Sequence, residues 1–215
     1  MRAAVSGLLS LLCLITFATS ASAEMGPYQA PTYCEGDTWV YAYGEKRVRM
    51  THKVLRVADD LVEMDNRTLE TCAGCRFIFD RNLVLQQMLR HDGASIASAT
   101  DRKWWEFPLD VGKTWQFTAP LDVDSTGAIR NGASAWVEVT VHVEAFEDVT
   151  VPAGTFRAFR MQRAFYRYLP GFRMQGTRWN QRIWFAPAVK WLVKLTSTRP
   201  NQQEWELTSY SLSCP

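Results

Sequence analysis

From residue 38 onward, apolar and polar positions exchange with a period of two, and Gly, Pro and Asn/Asp clusters break the pattern at roughly ten-residue intervals. Strands are therefore the expected element. The clearest run sets Val137, Val139, Val141, Val143 and Ala145 against Glu138, Thr140, His142 and Glu144, which predicts a long antiparallel strand with one wet face. It ends at Val151-Pro152-Ala153-Gly154, where proline suits the first central position of a turn and glycine can take the left-handed conformation that closes a hairpin. Phe156–Arg163 is expected to return as the partner. Downstream, Val189, Trp191, Val193 and Leu195 alternate with Lys190, Leu192, Lys194 and Thr196, and a last strand is expected over Glu204–Leu212.

Upstream candidates are Thr38–Tyr43, Val48–Val57, Leu61–Thr68, Arg76–Phe79, Leu83–Met88 and Thr114–Phe117. Residues Leu83–Leu89 also fit a short helix, since Leu, Gln and Met favour helices and the alternation there is poor. So many strands must hide their edges, by closing into a barrel or by packing two sheets. The expectation is an all-β chain forming a single antiparallel barrel or strongly curved half-barrel, with few or no helices. Nine tryptophans and eleven phenylalanines can supply its core. Buried rings each remove about 150–250 Å² from water, and this supply is large enough to make a ligand cavity worth seeking.

Residues 1–23 have a different character. Arg2 precedes an apolar and small-residue run that ends at Ala21-Ser22-Ala23, the pattern of a cleaved signal peptide. Residues 24–215 are then expected to form one β domain in the periplasm or outside the cell. No later stretch approaches the roughly 20 apolar residues of a membrane-spanning helix, so no transmembrane segment is expected in the mature chain. A lipid anchor on Cys13 fits less well, because Leu12 stands where such signals carry a small residue. Export also argues against ATP, NADH and nucleic acid as partners.

An oxidising compartment makes Cys34, Cys72, Cys75 and Cys214 disulfide candidates with three possible pairings. The pairing favoured here joins Cys34 to Cys214 across the domain and Cys72 to Cys75 as a local clip. The spacing Cys72-Ala73-Gly74-Cys75 also suits a redox dithiol or half a zinc site. A redox dithiol wants a helix after its first cysteine, yet Arg76-Phe77-Ile78-Phe79 reads as a strand. His52, His91 and His142 are scattered, and no nucleophile elbow, phosphate loop or dinucleotide fingerprint is present. No catalytic residue, metal or cofactor is assigned.

Charge is divided along the chain. Residues 149–203 carry no Asp or Glu and ten cations, whereas residues 24–148 carry 13 basic and 20 acidic side chains. The alternation places Arg178 and Arg182 on one face with Trp184, and Lys190 on one face with Leu192 and Lys194. These five residues, Arg178, Arg182, Trp184, Lys190 and Lys194, are the candidate binding surface for phosphate or carboxylate groups. Cross-strand pairing of the same cations with Glu138, Glu144 and other acids is the competing expectation.

The segments Gly36-Asp37-Thr38-Trp39-Val40-Tyr41, Phe107-Pro108-Leu109-Asp110-Val111-Gly112-Lys113-Thr114-Trp115, Val151-Pro152-Ala153-Gly154-Thr155-Phe156 and Trp184-Phe185-Ala186-Pro187 recur together with Glu206-Leu207-Thr208-Ser209-Tyr210. In these the chain resembles a broad group of uncharacterised exported bacterial all-β proteins. The resemblance implies a fold and a cell-envelope location and carries no catalytic residues. The functional expectation is an exported, non-enzymatic envelope protein. Its basic, aromatic C-terminal half would bind an anionic lipid, lipopolysaccharide, acidic glycan or envelope protein. The alternatives are a purely structural or assembly module and a redox protein using Cys72 and Cys75.

Overall fold

The computed structural model describes residues 26–66, 75–90, 92–93, 95–98, 103–120, 136–169, 171, 174, 176–198 and 204–215. The expected signal segment 1–23, Cys13, Cys72, His91 and the cations Arg173 and Arg199 lie outside the described residues.

The chain is all-β. Its first meander comprises β1 (Thr38–Tyr43), β2 (Val48–Ala58), β3 (Leu61–Asn66), β4 (Cys75–Asp80), β5 (Leu85–Leu89) and β6 (Ser95–Ser98). The second comprises β7 (Thr114–Pro120), β8 (Trp136–Val151), β9 (Gly154–Tyr168), β10 (Thr177–Ala186), β11 (Trp191–Ser197) and β12 (Trp205–Ser211). Pairing of β1 with β12 fuses the two into one antiparallel sheet with the order β6-β5-β4-β3-β2-β1-β12-β11-β10-β9-β8-β7. The sheet is not closed, and β6 and β7 are its two ends.

Its curvature follows from one distance. Phe79 on β4 and Trp191 on β11 belong to strands five places apart, which a flat sheet would hold about 24 Å from each other. Their ring centroids are 6.4 Å apart. The sheet therefore bends back on itself as a half-barrel, and its concave face is the core. Register shifts leave an extra residue at Leu55 on β2, Gln86 on β5, Ile96 on β6, Glu144 on β8, Val193 on β11 and Thr208 on β12, where the strands bend.

The seam between the meanders is closely fastened. Cys34 and Cys214 form a disulfide with Cα atoms 5.9 Å apart across a sequence separation of 180 residues. In the chain-entropy account a loop that long is worth about 4–5 kcal/mol. Beside it, the fully buried Asp37 carboxylate accepts the Cys34 N–H at 2.9 Å and the Ser213 N–H at 2.6 Å. Gly36 leaves room for that clasp: its φ is +95°, and a Cβ there would lie 2.6 Å from Ser213 Oγ.

Three buried aromatic side chains fasten the same seam to the 3₁₀ turn Pro187–Val189 and the start of β11. Tyr33 Oη donates to the Lys190 carbonyl at 2.6 Å, Trp39 Nε1 to that of Val189 at 2.7 Å and Tyr41 Oη to that of Leu192 at 2.7 Å. Burial pushes both tyrosine hydroxyls well above the ordinary phenol pKa, which keeps them donors.

Three expectations need correction. Residues 83–89 are not helical: Leu83 takes φ +58° in a turn, and Leu85–Leu89 pairs with β4. Ala145 leaves the valine face because the extra residue Glu144 shifts the register, so that Ala145 opposes Arg160. Lys190, Leu192 and Lys194 do not share a face. Lys190 lies before β11 in the left-handed conformation at φ +60°. An extra residue at Val193 then turns Leu192 inward opposite Phe185, while Lys194 stays outward opposite Trp184.

Candidate functional site

The concave face is not wholly filled. A cavity of about 160 Å³ lies between the meanders. The first meander contributes His52 from β2, Met64 from β3, and Phe77 and Phe79 from β4. The second contributes Arg163 from β9, Trp191, Leu192 and Leu195 from β11, and Trp205 from β12. Phe77, Trp104 and Trp205 are half-buried and form its rim, whereas the remaining walls are buried.

Trp104 and Trp105 complete the wall from the irregular segment before β7. Hydrogen bonds hold this strap: Trp115 Nε1 donates to the Lys103 carbonyl at 2.8 Å, and Lys113 Nζ donates to the carbonyls of Glu106 and Pro108 at 2.7 and 3.0 Å. Paired backbone bonds between Tyr28 and Leu109, both 2.8 Å, fix its far end.

Two polar side chains stand where alternation demands apolar ones. On β9 the inward row reads Phe159, Met161, Arg163, Phe165, and Arg163 opposes Val141 on β8 and buried Gln181 on β10. Its Nη2 donates to the Trp104 carbonyl at 2.7 Å, and its guanidinium lies 5.2 and 4.8 Å from the ring centroids of Trp104 and Trp105. Nε has no hydrogen-bond partner, and among the described residues no carboxylate pairs with this cation. Burial lowers its pKa to about 9, so it remains charged at neutral pH.

His52 occupies the inward row of β2 between Met50 and Val54. Its ring lies 5.4 Å from Tyr41, 5.9 Å from Trp205 and 6.3 Å from Trp191. Burial pulls its pKa down to about 4, which leaves a neutral imidazole at pH 7. His52 Nε2 and Trp191 Nε1 both lack hydrogen-bond partners.

The surface expected to bind anions is arranged differently. Arg182 and Trp184 each reach an acid of β8: Arg182 Nε lies 3.7 Å from Glu144 Oε2, and Trp184 Nε1 donates to Glu147 Oε1 at 3.0 Å. Arg160 joins both acids at 2.8 Å. Lys194 is the register neighbour of Trp184 and pairs with Glu206 at 3.2 Å. Arg178 is exposed over the Tyr166 ring at 5.1 Å, six residues and thus about 20 Å from Trp184 along the strand. Lys190 is buried and points its ammonium at the chain's end, donating to the Cys214 and Pro215 carbonyls at 2.9 and 3.1 Å. The five candidates thus form no common patch.

Cys75 is buried and disulfide-bonded, and it begins β4 rather than a helix. Among the described residues, no group of three or more His, Cys, Asp or Glu side chains could hold a metal, and no helix is long and apolar enough to cross a membrane. The residues that make the cavity polar, His52 and Arg163, were absent from the expected site. Their signal was present: each is a polar residue flanked two positions away on both sides by buried apolar ones, Met50 and Val54 for His52, Met161 and Phe165 for Arg163.

No protein-family model and no curated protein matches this chain. Among solved structures it is similar to the hypothetical lipoprotein YmcC from Escherichia coli (K12). That likeness has a TM-score of 0.47 and 10% identity over 86% of this chain and 90% of the other. It is also similar to a "putative exported protein with YmcC-like fold" from Bacteroides fragilis NCTC 9343, with a TM-score of 0.42 and 13% identity over 86% of this chain and 99% of the other.

Proposed function

We propose that this chain is an exported, non-enzymatic envelope protein that takes a small amphiphilic ligand into the cavity on its concave face. The observation that carries the reading is the cavity itself, an aromatic-walled space of about 160 Å³ on the concave face. Its size matches cavities that hold a benzene-sized body, and its apolar walls favour burial of a hydrocarbon. Export rests on the leader-like residues 1–23, and the Cys34–Cys214 disulfide suits an oxidising compartment.

The role first expected of the outer basic surface moves inward on this reading, because Arg182 and Lys194 already face carboxylates. Those same pairs favour the second reading, a structural module with internally compensated charge. Titration of delipidated protein with 1-octanol and octanoate, followed by tryptophan emission, separates the two. Saturable quenching that is lost in Leu195→Trp, a variant with the space filled, supports the binding role. Absence of saturable quenching by either compound defeats it.

A further inference from the structure

The cavity wall concentrates unmet hydrogen-bonding capacity. Arg163 Nε, Trp191 Nε1 and His52 Nε2 are each buried without a partner, and all three residues line the same space. Orphaned polar atoms are costly when surrounded by protein, and acceptor oxygens entering the space would relieve that cost. Resting on the reading above that the cavity takes a ligand, we propose that its occupant is a singly charged carboxylate with a short apolar body. Arg163 and Trp191 would donate to its oxygens, joined by the neutral imidazole of His52 in the tautomer that carries its proton on Nε2.

Charge selects the head group. Among the described residues the wall offers one guanidinium and no second cation, and no carboxylate pairs with it. One negative charge completes this site, whereas a phosphate monoester would bury a second, uncompensated charge. The guanidinium is also held in position: Nη2 is fixed on the Trp104 carbonyl and the two indoles lie over it, while Nε is buried without the acceptor that a charge-assisted bond would supply. His52 and Trp191 contribute without adding charge, since the first is neutral at pH 7 and the second is a neutral donor. Space selects the body. A cavity near 160 Å³ accepts a ring or about six carbons, and a longer chain must leave past Phe77, Trp104 and Trp205.

Calorimetric titration of the delipidated protein with octanoate, 1-octanol and octyl phosphate tests this. Octanoate is expected to bind at least tenfold more tightly than either of the others. In Arg163→Gln the preference over 1-octanol should fall to within twofold. Trp191→Phe, which keeps a ring and removes the N–H, should weaken octanoate about threefold and 1-octanol by less, since the charged acceptor makes the stronger bond, and it serves if Arg163→Gln does not fold. Equal affinity for octanoate and 1-octanol, tighter binding of octyl phosphate, or a preference that survives both substitutions overturns the carboxylate assignment and leaves the cavity reading standing. Failure of all three compounds to bind overturns the cavity reading as well.

Discussion

Arg160 and Arg163 stand three residues apart on β9, and the period of two sends them to opposite faces of the sheet. Arg160 faces outward between Glu144 and Glu147, 2.8 Å from each. Arg163 faces inward among indole rings and has no such partner among the described residues. A stretch of sequence with ten cations and no acid looked like one basic surface. Folding sorts it across strands: Arg157, Arg160 and Arg182 meet acids of β8, Lys194 meets Glu206 of β12, and Arg163 turns into the cavity. Neutralisation runs across strands rather than along the chain, so composition along the chain says little about surface charge.

Removing the arginine from each face should break this comparison most strongly. Arg163→Glu puts an acid among aromatic walls and leaves the Trp104 carbonyl without its donor, and a loss of about 3–5 kcal/mol is expected in denaturant unfolding. Arg160→Met, which frees two half-exposed acids to repel each other, should cost about 1 kcal/mol. Equal losses would mean that the two environments do not differ as the geometry requires.

Acid should sharpen the contrast next. Burial holds the His52 pKa at about 4 against 6.5 in an unfolded chain. Between those values the unfolded chain binds a proton that the folded chain refuses, so stability falls as pH falls from about 6.5 to about 4. The linked loss approaches about 3 kcal/mol, and His52→Gln should remove it from a pH series of unfolding curves. Because the cause is desolvation, added salt should leave this loss nearly unchanged. A pH profile identical in His52→Gln would place the loss on other groups.

How far the sequence could be read depends on what each feature needs. Strands were legible wherever side chains alternate between core and solvent, as at Thr38–Tyr43, which matches β1 residue for residue. Period-two reasoning failed where an extra residue entered a strand, at Glu144 and at Val193, because every side chain beyond the bulge changes face. Lys190 was misplaced for a related reason: Pro187 starts a 3₁₀ turn, and the lysine ends it. The cavity needed contacts that no local pattern encodes. Trp105 meets Trp191 at 5.9 Å only because the strap before β7 crosses the concave face. Arg163 and His52 were readable as inward polar residues, yet a tally of charge counted Arg163 with its outward neighbours.

The smallest expected effect lies on the outer face, and salt is its signature. Glu206 accepts from Arg47 at 2.8 Å and from Lys194 at 3.2 Å, and these partners, Arg47 foremost, hold its carboxyl below the usual range. A depressed carboxylate pKa stabilises the fold above the unfolded value and is lost as pH falls through the folded one. Arg47 is half-exposed, with 52% of its side chain accessible, so water and ions screen much of this gain. Lys194→Met should therefore cost only about 0.5 kcal/mol at low ionic strength, since Arg47 still holds the carboxylate. At about 1 M salt, where the screening length is near 3 Å, the cost should vanish. The loss linked to His52 should persist in the same buffer. A salt-resistant cost for Lys194→Met would show that this pair is set by packing, as the inner face is, and would remove the distinction between the two faces.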